Sequence, residues 1–195
     1  MTAADGPEEW PFNRMSSLFD VTGLSALPDF ADDFVPTLDR DDGDEIVPVN
    51  WNRLGPDEAR QAWTDLNAWV TWLRKAFGLP PTLIPPLWHR HDELVWELSA
   101  LHTHWLACYG VDASPSAPIA WMRDFADARH RLRDWVAACG TRLDRDRPTR
   151  TTVWPGEPPE AIASDQAITD READFARFVE DDAASRHRSD PGGAS

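Results

Sequence analysis

Lysine is nearly missing from this chain: Lys75 stands alone against eighteen arginines. Ala, Arg, Asp, Pro and Trp are favoured instead, which reads as GC-rich coding and not as chemistry. Cysteine is scarce too. Cys108 and Cys139 are too few for a disulfide framework. No apolar run approaches the roughly 18 residues that a membrane span needs. The opening residues, Met-Thr-Ala-Ala-Asp-Gly-Pro-Glu-Glu, have no basic region and no apolar stretch, so no secretory signal is expected and the cytoplasm is the default. A Gly-rich phosphate loop, a Gly-x-Ser-x-Gly elbow and a Cys-x-x-Cys pair are all missing, and so is any internal repeat. The sequence therefore offers no motif that specifies a reaction.

What the chain does have is acid, unevenly spread. Its formal net charge is -15. Residues 1–50 carry -10, residues 51–150 carry +1 and residues 151–195 carry -6. A balanced middle between acidic ends predicts a core domain over 47–155. It also predicts an acidic disordered tail over 1–46, and a second acidic tail over 156–195 with a short helix near 169–183. In the first tail, Met15–Val21 and Phe30–Phe34 are candidate docking motifs. Thr169-Asp170-Arg171-Glu172 reads as a capping box in the second.

The middle has helical periodicity. Ala59, Ala62, Trp63, Leu66, Trp69, Val70, Leu73 and Phe77 recur at three-and-four spacing, so a helix is predicted over 56–77. Pro56 suits its first turn, and Gly78 suits a left-handed cap after its end. A second helix is predicted over 86–109, with Leu94, Val95, Leu98, Leu101 and Trp105 on one face. A third is predicted over 118–139, with Trp121, Met122, Phe125, Ala128, Leu132, Trp135 and Val136 as its stripe. The expected fold is all-α: a three-helix up-down-up bundle with a Trp-rich core and short extended flanks at 47–51 and 151–154. Ten of the eleven tryptophans lie between Trp51 and Trp154. Their size lets a small core reach useful burial.

Candidate sites are sparse. Histidines cluster as His89 and His91, followed by Glu93, Glu97, His102 and His104. On a continuous helix His89, Glu93, Glu97 and His104 share a face, but His89 and His104 lie about 22 Å apart at 1.5 Å per residue. One ion cannot bridge that distance. The candidate divalent-metal set is therefore His89 and Glu93 completed by His130 from the third helix, with His91 or Asp92 assisting, weighed against partly buried histidines in ordinary hydrogen bonds. Cys108 and Cys139 both end helices, and two core thiols are expected. Arg142, Arg145, Arg147 and Arg150 form a basic loop that suits phosphates, but neighbouring acids favour a salt-bridged surface. Trp72 and Trp96 fall off the main stripes and mark a candidate partner-binding patch.

The stretch Pro85-Pro86-Leu87-Trp88-His89-Arg90-His91-Asp92-Glu93-Leu94, with Trp105 and Gly140-Thr141-Arg142-Leu143-Asp144-Arg145-Asp146-Arg147-Pro148, resembles a group of actinobacterial proteins encoded on plasmids and integrated mobile elements. The resemblance covers roughly 47–155 and implies a host and a genetic setting, with no activity attached. The expected function is a non-enzymatic interaction or accessory module that meets an unknown protein partner or a second copy. A metal-dependent enzyme and a nucleic-acid-binding protein are the alternatives. No cofactor is expected under the first reading.

Overall fold

The computed structural model describes residues 46–158 and 164–189. The candidate docking motifs at 15–21 and 30–34, and nearly all of the first acidic tail, lie outside the described residues.

Helix α1 spans Pro56–Ala76. The free N–H of Gly55 is taken by Glu58 Oε2 at 2.8 Å, and Asp57 and Glu58 complement the positive end of the helix dipole. At the other end Gly78 adopts φ +57°. Its N–H reaches Lys75 O, and Leu79 N–H reaches Arg74 O at 3.0 Å. Those two bonds close a Schellman cap, which only a residue tolerant of positive φ can form without strain.

The second helix starts later than the periodicity predicts. Pro85 and Pro86 lead into a 3₁₀ turn, Trp88–Arg90, then His91 is extended at φ -127°, ψ 106°, and helix α2 runs from Asp92 to Tyr109. The break has a consequence for the site. On one continuous helix His89 and His91 would point to opposite sides, whereas here both are buried.

Helix α3 spans Ala117–Ala138 and runs antiparallel to α2. Glu97 pairs with Arg131, His104 with Asp124, and Trp121 Nε1–H donates to Leu101 O at 3.2 Å. Trp121, Phe125, Ala128 and Leu132 are buried. Met122 and Trp135, expected in the same stripe, are exposed. α3 packs chiefly on α2, and a helix flanked on one side hides a narrower stripe than one inside a bundle.

The chain after residue 156 is more than a tail. A short antiparallel ladder joins β1 (Arg145–Asp146) to β2 (Gln166–Ala167). Helix α4 then spans Arg171–Ser189 and packs on α1. Asp170, not Thr169, caps it, accepting from Ala173 N–H at 3.0 Å. Trp63 Nε1–H donates to Asp182 at 2.9 Å, and the Arg186 guanidinium reaches Asp182, Trp51 O and Leu54 O. Arg171 bonds Asn67 and Pro86 O. Buried Val179 and Ala183 complete this face.

Aromatic rings link the elements in chains. Trp51, Trp63, Trp88, Phe175 and Phe178 meet at one end, and Trp69, Trp72, Trp105, Tyr109, Trp121, Phe77 and Phe125 at the other. Within the described residues no helix is long and apolar enough to cross a membrane.

Candidate functional sites: a buried histidine hub and exposed indoles

The turn that interrupts the second helix gathers the buried polar groups. His89 and Arg90 converge on one carboxylate and His91 meets another, both from distant parts of the chain.

Asp174 on α4 receives two of them. Arg90 holds it with Nε at 2.8 Å and Nη2 at 2.5 Å, and His89 Nε2 lies 3.0 Å away. The carboxylate is buried, so a two-pronged guanidinium is the partner able to keep it charged. Arg90 first, then His89 and Arg177, hold Asp174 far below the usual carboxylate range against its burial. His89 behaves in the opposite way to an ordinary ion-pair partner. Burial, helped by the charges of Arg171 and Arg90, outweighs Asp174 and pushes it down to about 4. It is neutral at pH 7, so Nε2 carries the proton and donates it to Asp174.

His91 meets Asp146 of β1 through Nε2 at 2.8 Å and Thr149 Oγ1 through Nδ1 at 3.0 Å. The Thr149 hydroxyl spends its own proton on Glu93 Oε1, 2.6 Å away, so it accepts from Nδ1–H. Both ring nitrogens then carry protons. Burial opposes that charge, but the hydrogen bonds to Asp146 and Cys139 and the charges around them outweigh it and raise His91 to about 9. Two buried histidines two residues apart are therefore held in opposite charge states.

Stability should be greatest near pH 6.5 in chelator-treated protein. His89 binds a proton more weakly in the fold than in the unfolded chain, so stability is lost as pH falls from 6.5 towards 4. His91 binds one more strongly, so its contribution is full below 6.5 and is gone once pH passes about 9. Melting temperatures measured from pH 5 to pH 9 should trace a dome that falls by several degrees on both sides. The acid limb should flatten in His89→Gln, and the alkaline limb in His91→Gln.

The expected metal set is not brought together. His89 is bonded to Asp174, and His130 is exposed on α3. Glu93 has other company: among the described residues one group of potential metal ligands forms, namely His91, Glu93 and Cys139, whose donor atoms all lie within 4.8 Å of one another. Cys108 is also buried, on α2, with Sγ 3.5 Å from His104 Nδ1. Sequence reasoning gave His91 only an assisting part and missed its grouping with Cys139, Asp146 and Thr149, as it missed Asp174 beside His89 and Arg90. The repeated His-x-His and the Asp146 between two arginines were the visible signals, but the histidines' partners lie 48 to 85 residues away along the chain.

Gly140 helps to bring Cys139 inward. A Cβ at Gly140 would stand 2.7 Å from Arg147 Cβ and 2.9 Å from Arg147 O, so the segments 139–141 and 145–149 touch backbone to backbone. Thr141 Oγ1 and Arg147 Nε are buried there with no hydrogen-bond partner. Of the basic loop residues, Arg142, Arg145 and Arg150 are exposed and Arg147 is half-buried, with Arg145 turned onto Asp144.

The two candidate partner-binding tryptophans separate. Trp72 is partly buried, packed on Trp105 with ring centres 5.2 Å apart and edge-on to Phe77. Trp96 on α2 remains 40 % exposed, and Trp135 on α3, expected in the core, is 44 % exposed. Comparison with known proteins adds nothing to this geometry: no family model, no curated protein and no solved structure matches the chain.

Proposed function

We propose that the protein is a non-enzymatic interaction module of the cytoplasm, an accessory protein in the mobile-element setting that the sequence resemblance implies. In this reading the Trp-rich helical bundle is a scaffold, and Trp96 and Trp135 dock a protein partner. The supporting observation is that two of the largest apolar side chains stay about two-fifths exposed on neighbouring helices while Trp63, Trp69, Trp88 and Trp121 are buried. Exposed indoles of this kind are common anchors of protein interfaces. Charge favours a different protein over a second copy: two chains of -15 each repel, whereas a basic partner is attracted.

The other readings have less behind them. A metal-dependent enzyme built on His89, Glu93 and His130 loses its geometry, because His89 and His130 face different surroundings. Phosphate binding by Arg142, Arg145, Arg147 and Arg150 competes with Asp144 and Asp146 on the same loop.

The test is quantitative co-purification from the native host, comparing wild type with Trp96→Gln/Trp135→Gln. Both positions are exposed, so the double variant should keep its fold. A basic protein recovered with wild type should fall by about tenfold or more with the variant, the loss expected for an anchor residue. Equal recoveries from both would contradict the proposal, as would no specific recovery from either.

A further inference from the structure

We propose that His91, Glu93 and Cys139 form a Zn2+ site, with Asp146 as the carboxylate that orients the His91 ring. This goes beyond the interaction reading and does not depend on it.

Two segments supply the three ligands. His91 and Glu93 flank the start of α2, and Cys139 follows the last residue of α3. Their donor atoms already lie within 4.8 Å of one another. His91 Nδ1 is 3.9 Å from Glu93 Oε1. In a tetrahedral zinc centre, bonds of about 2.0–2.3 Å place ligand atoms roughly 3.3–3.6 Å apart. Closing the group onto an ion needs shifts on the order of an ångström in the ligand atoms.

The chemistry of the set selects the ion. A thiol and an imidazole beside one carboxylate suit zinc and its neighbours, not Mg2+ or Ca2+, which prefer oxygen alone. Asp146 takes His91 Nε2–H at 2.8 Å, so the metal would take Nδ1, the nitrogen on the Glu93 side, displacing the proton that Nδ1 gives to Thr149. A histidine ligand whose other nitrogen is held by a carboxylate is a recurring feature of zinc proteins. Two carboxylates already hold a positive charge at this imidazole, and Zn2+ would replace it, releasing the Nδ1 proton and the Cys139 thiol proton so that the net charge of the site is unchanged. Thr149 Oγ1, which bridges His91 and Glu93, lies where it can yield to the ion or share it. Three protein ligands leave one position open to water or to that hydroxyl.

The site would fasten the end of α3 to the beginning of α2. His91 and Cys139 are buried, while Glu93 and Thr149 reach the surface and open a way in for the ion. The tight approach of Gly140 to Arg147 keeps Cys139 beside the segment that carries Asp146 and Thr149.

Full-length protein without a histidine tag, treated with chelator and then titrated with Zn2+, should bind one ion per chain and melt at a higher temperature. Co2+ in place of Zn2+ should produce a thiolate-to-metal charge-transfer band. That band should vanish in Cys139→Ser and persist in Cys108→Ser. Glu93→Gln alters a partly exposed side chain, so its fold should survive and its Zn2+ affinity should fall by about tenfold or more. Absence of Zn2+ binding by folded wild type would overturn the proposal, as would a thiolate band that survives Cys139→Ser. Should Cys139→Ser fail to fold, Glu93→Gln decides: unchanged Zn2+ affinity there would equally overturn it.

Discussion

Asp174→Ala should lower stability by about 3–5 kcal/mol, the range for removing one partner of a buried ion pair. The carboxylate takes both prongs of Arg90 and the proton of His89 in a position closed to water. Without it, a buried imidazole loses its one hydrogen bond, since His89 Nδ1 already has none. Arg90 is left with Gln166 at the limit of hydrogen-bond distance. Asp174→Asn keeps a hydrogen-bond acceptor for one partner but removes the charge, so it should fall between wild type and Ala. Asp181→Ala, exposed on the same helix, should change stability by no more than about 0.5 kcal/mol. Urea denaturation of the four proteins checks the order. Equal costs at 174 and 181 would mean that α4 is held by its apolar face alone.

Trp121→Ala should cost a comparable amount, about 3–5 kcal/mol. Its ring is fully buried, stacked on Phe125 with centres 4.8 Å apart, near Phe77 and Tyr109, and its N–H is bonded to Leu101 O. Removal leaves a cavity at the crossing of α3 with α2 and takes a second hydrogen-bond donor from Leu101 O, which keeps its bond within α2. α3 has little else to hold it, because α2 is its main neighbour. Trp135→Ala on the same helix removes an indole of the same size from a half-exposed position and should cost well under half as much. Thermal and urea unfolding of both variants separate the two. Similar losses would show that ring size and not burial decides.

The sequence made the helical scaffold legible, because α1 and α3 obey a simple period between clear punctuation. Pro56 and Gly78 bound α1 within a residue of the prediction. The break between Pro86 and Asp92 was harder to see. Its residues continue the apolar pattern, which does not reveal the 3₁₀ turn and the extended His91 that place both histidines inside. α4 was partly visible, as a capping signal and as a short helix carrying Phe175, Phe178 and Val179, but its acidic composition hid its extension to Ser189 and the burial of Ala183 and Asp174. The site was least legible. His89 and His91 stood out, while their partners Asp174, Asp146, Thr149 and Cys139 are ordinary residues until folding brings them across 48 to 85 positions. Trp135 misled for a related reason: periodicity places a side chain on a face, but whether that face is covered depends on how many neighbours the helix has.

Residues 88–93 as the fastening point for both α4 and the 145–149 segment is the claim on which the rest depends. Hydrogen exchange read by mass spectrometry tests it most directly, with wild type beside Asp174→Ala under native conditions. Wild-type α4 should be protected to the same order as α1, and the variant should lose protection over 171–189 and 88–91 together while α3 keeps its own. A wild-type α4 that exchanges as fast as an unstructured peptide would contradict the account, and so would a variant in which α4 opens while the 88–91 turn remains unchanged.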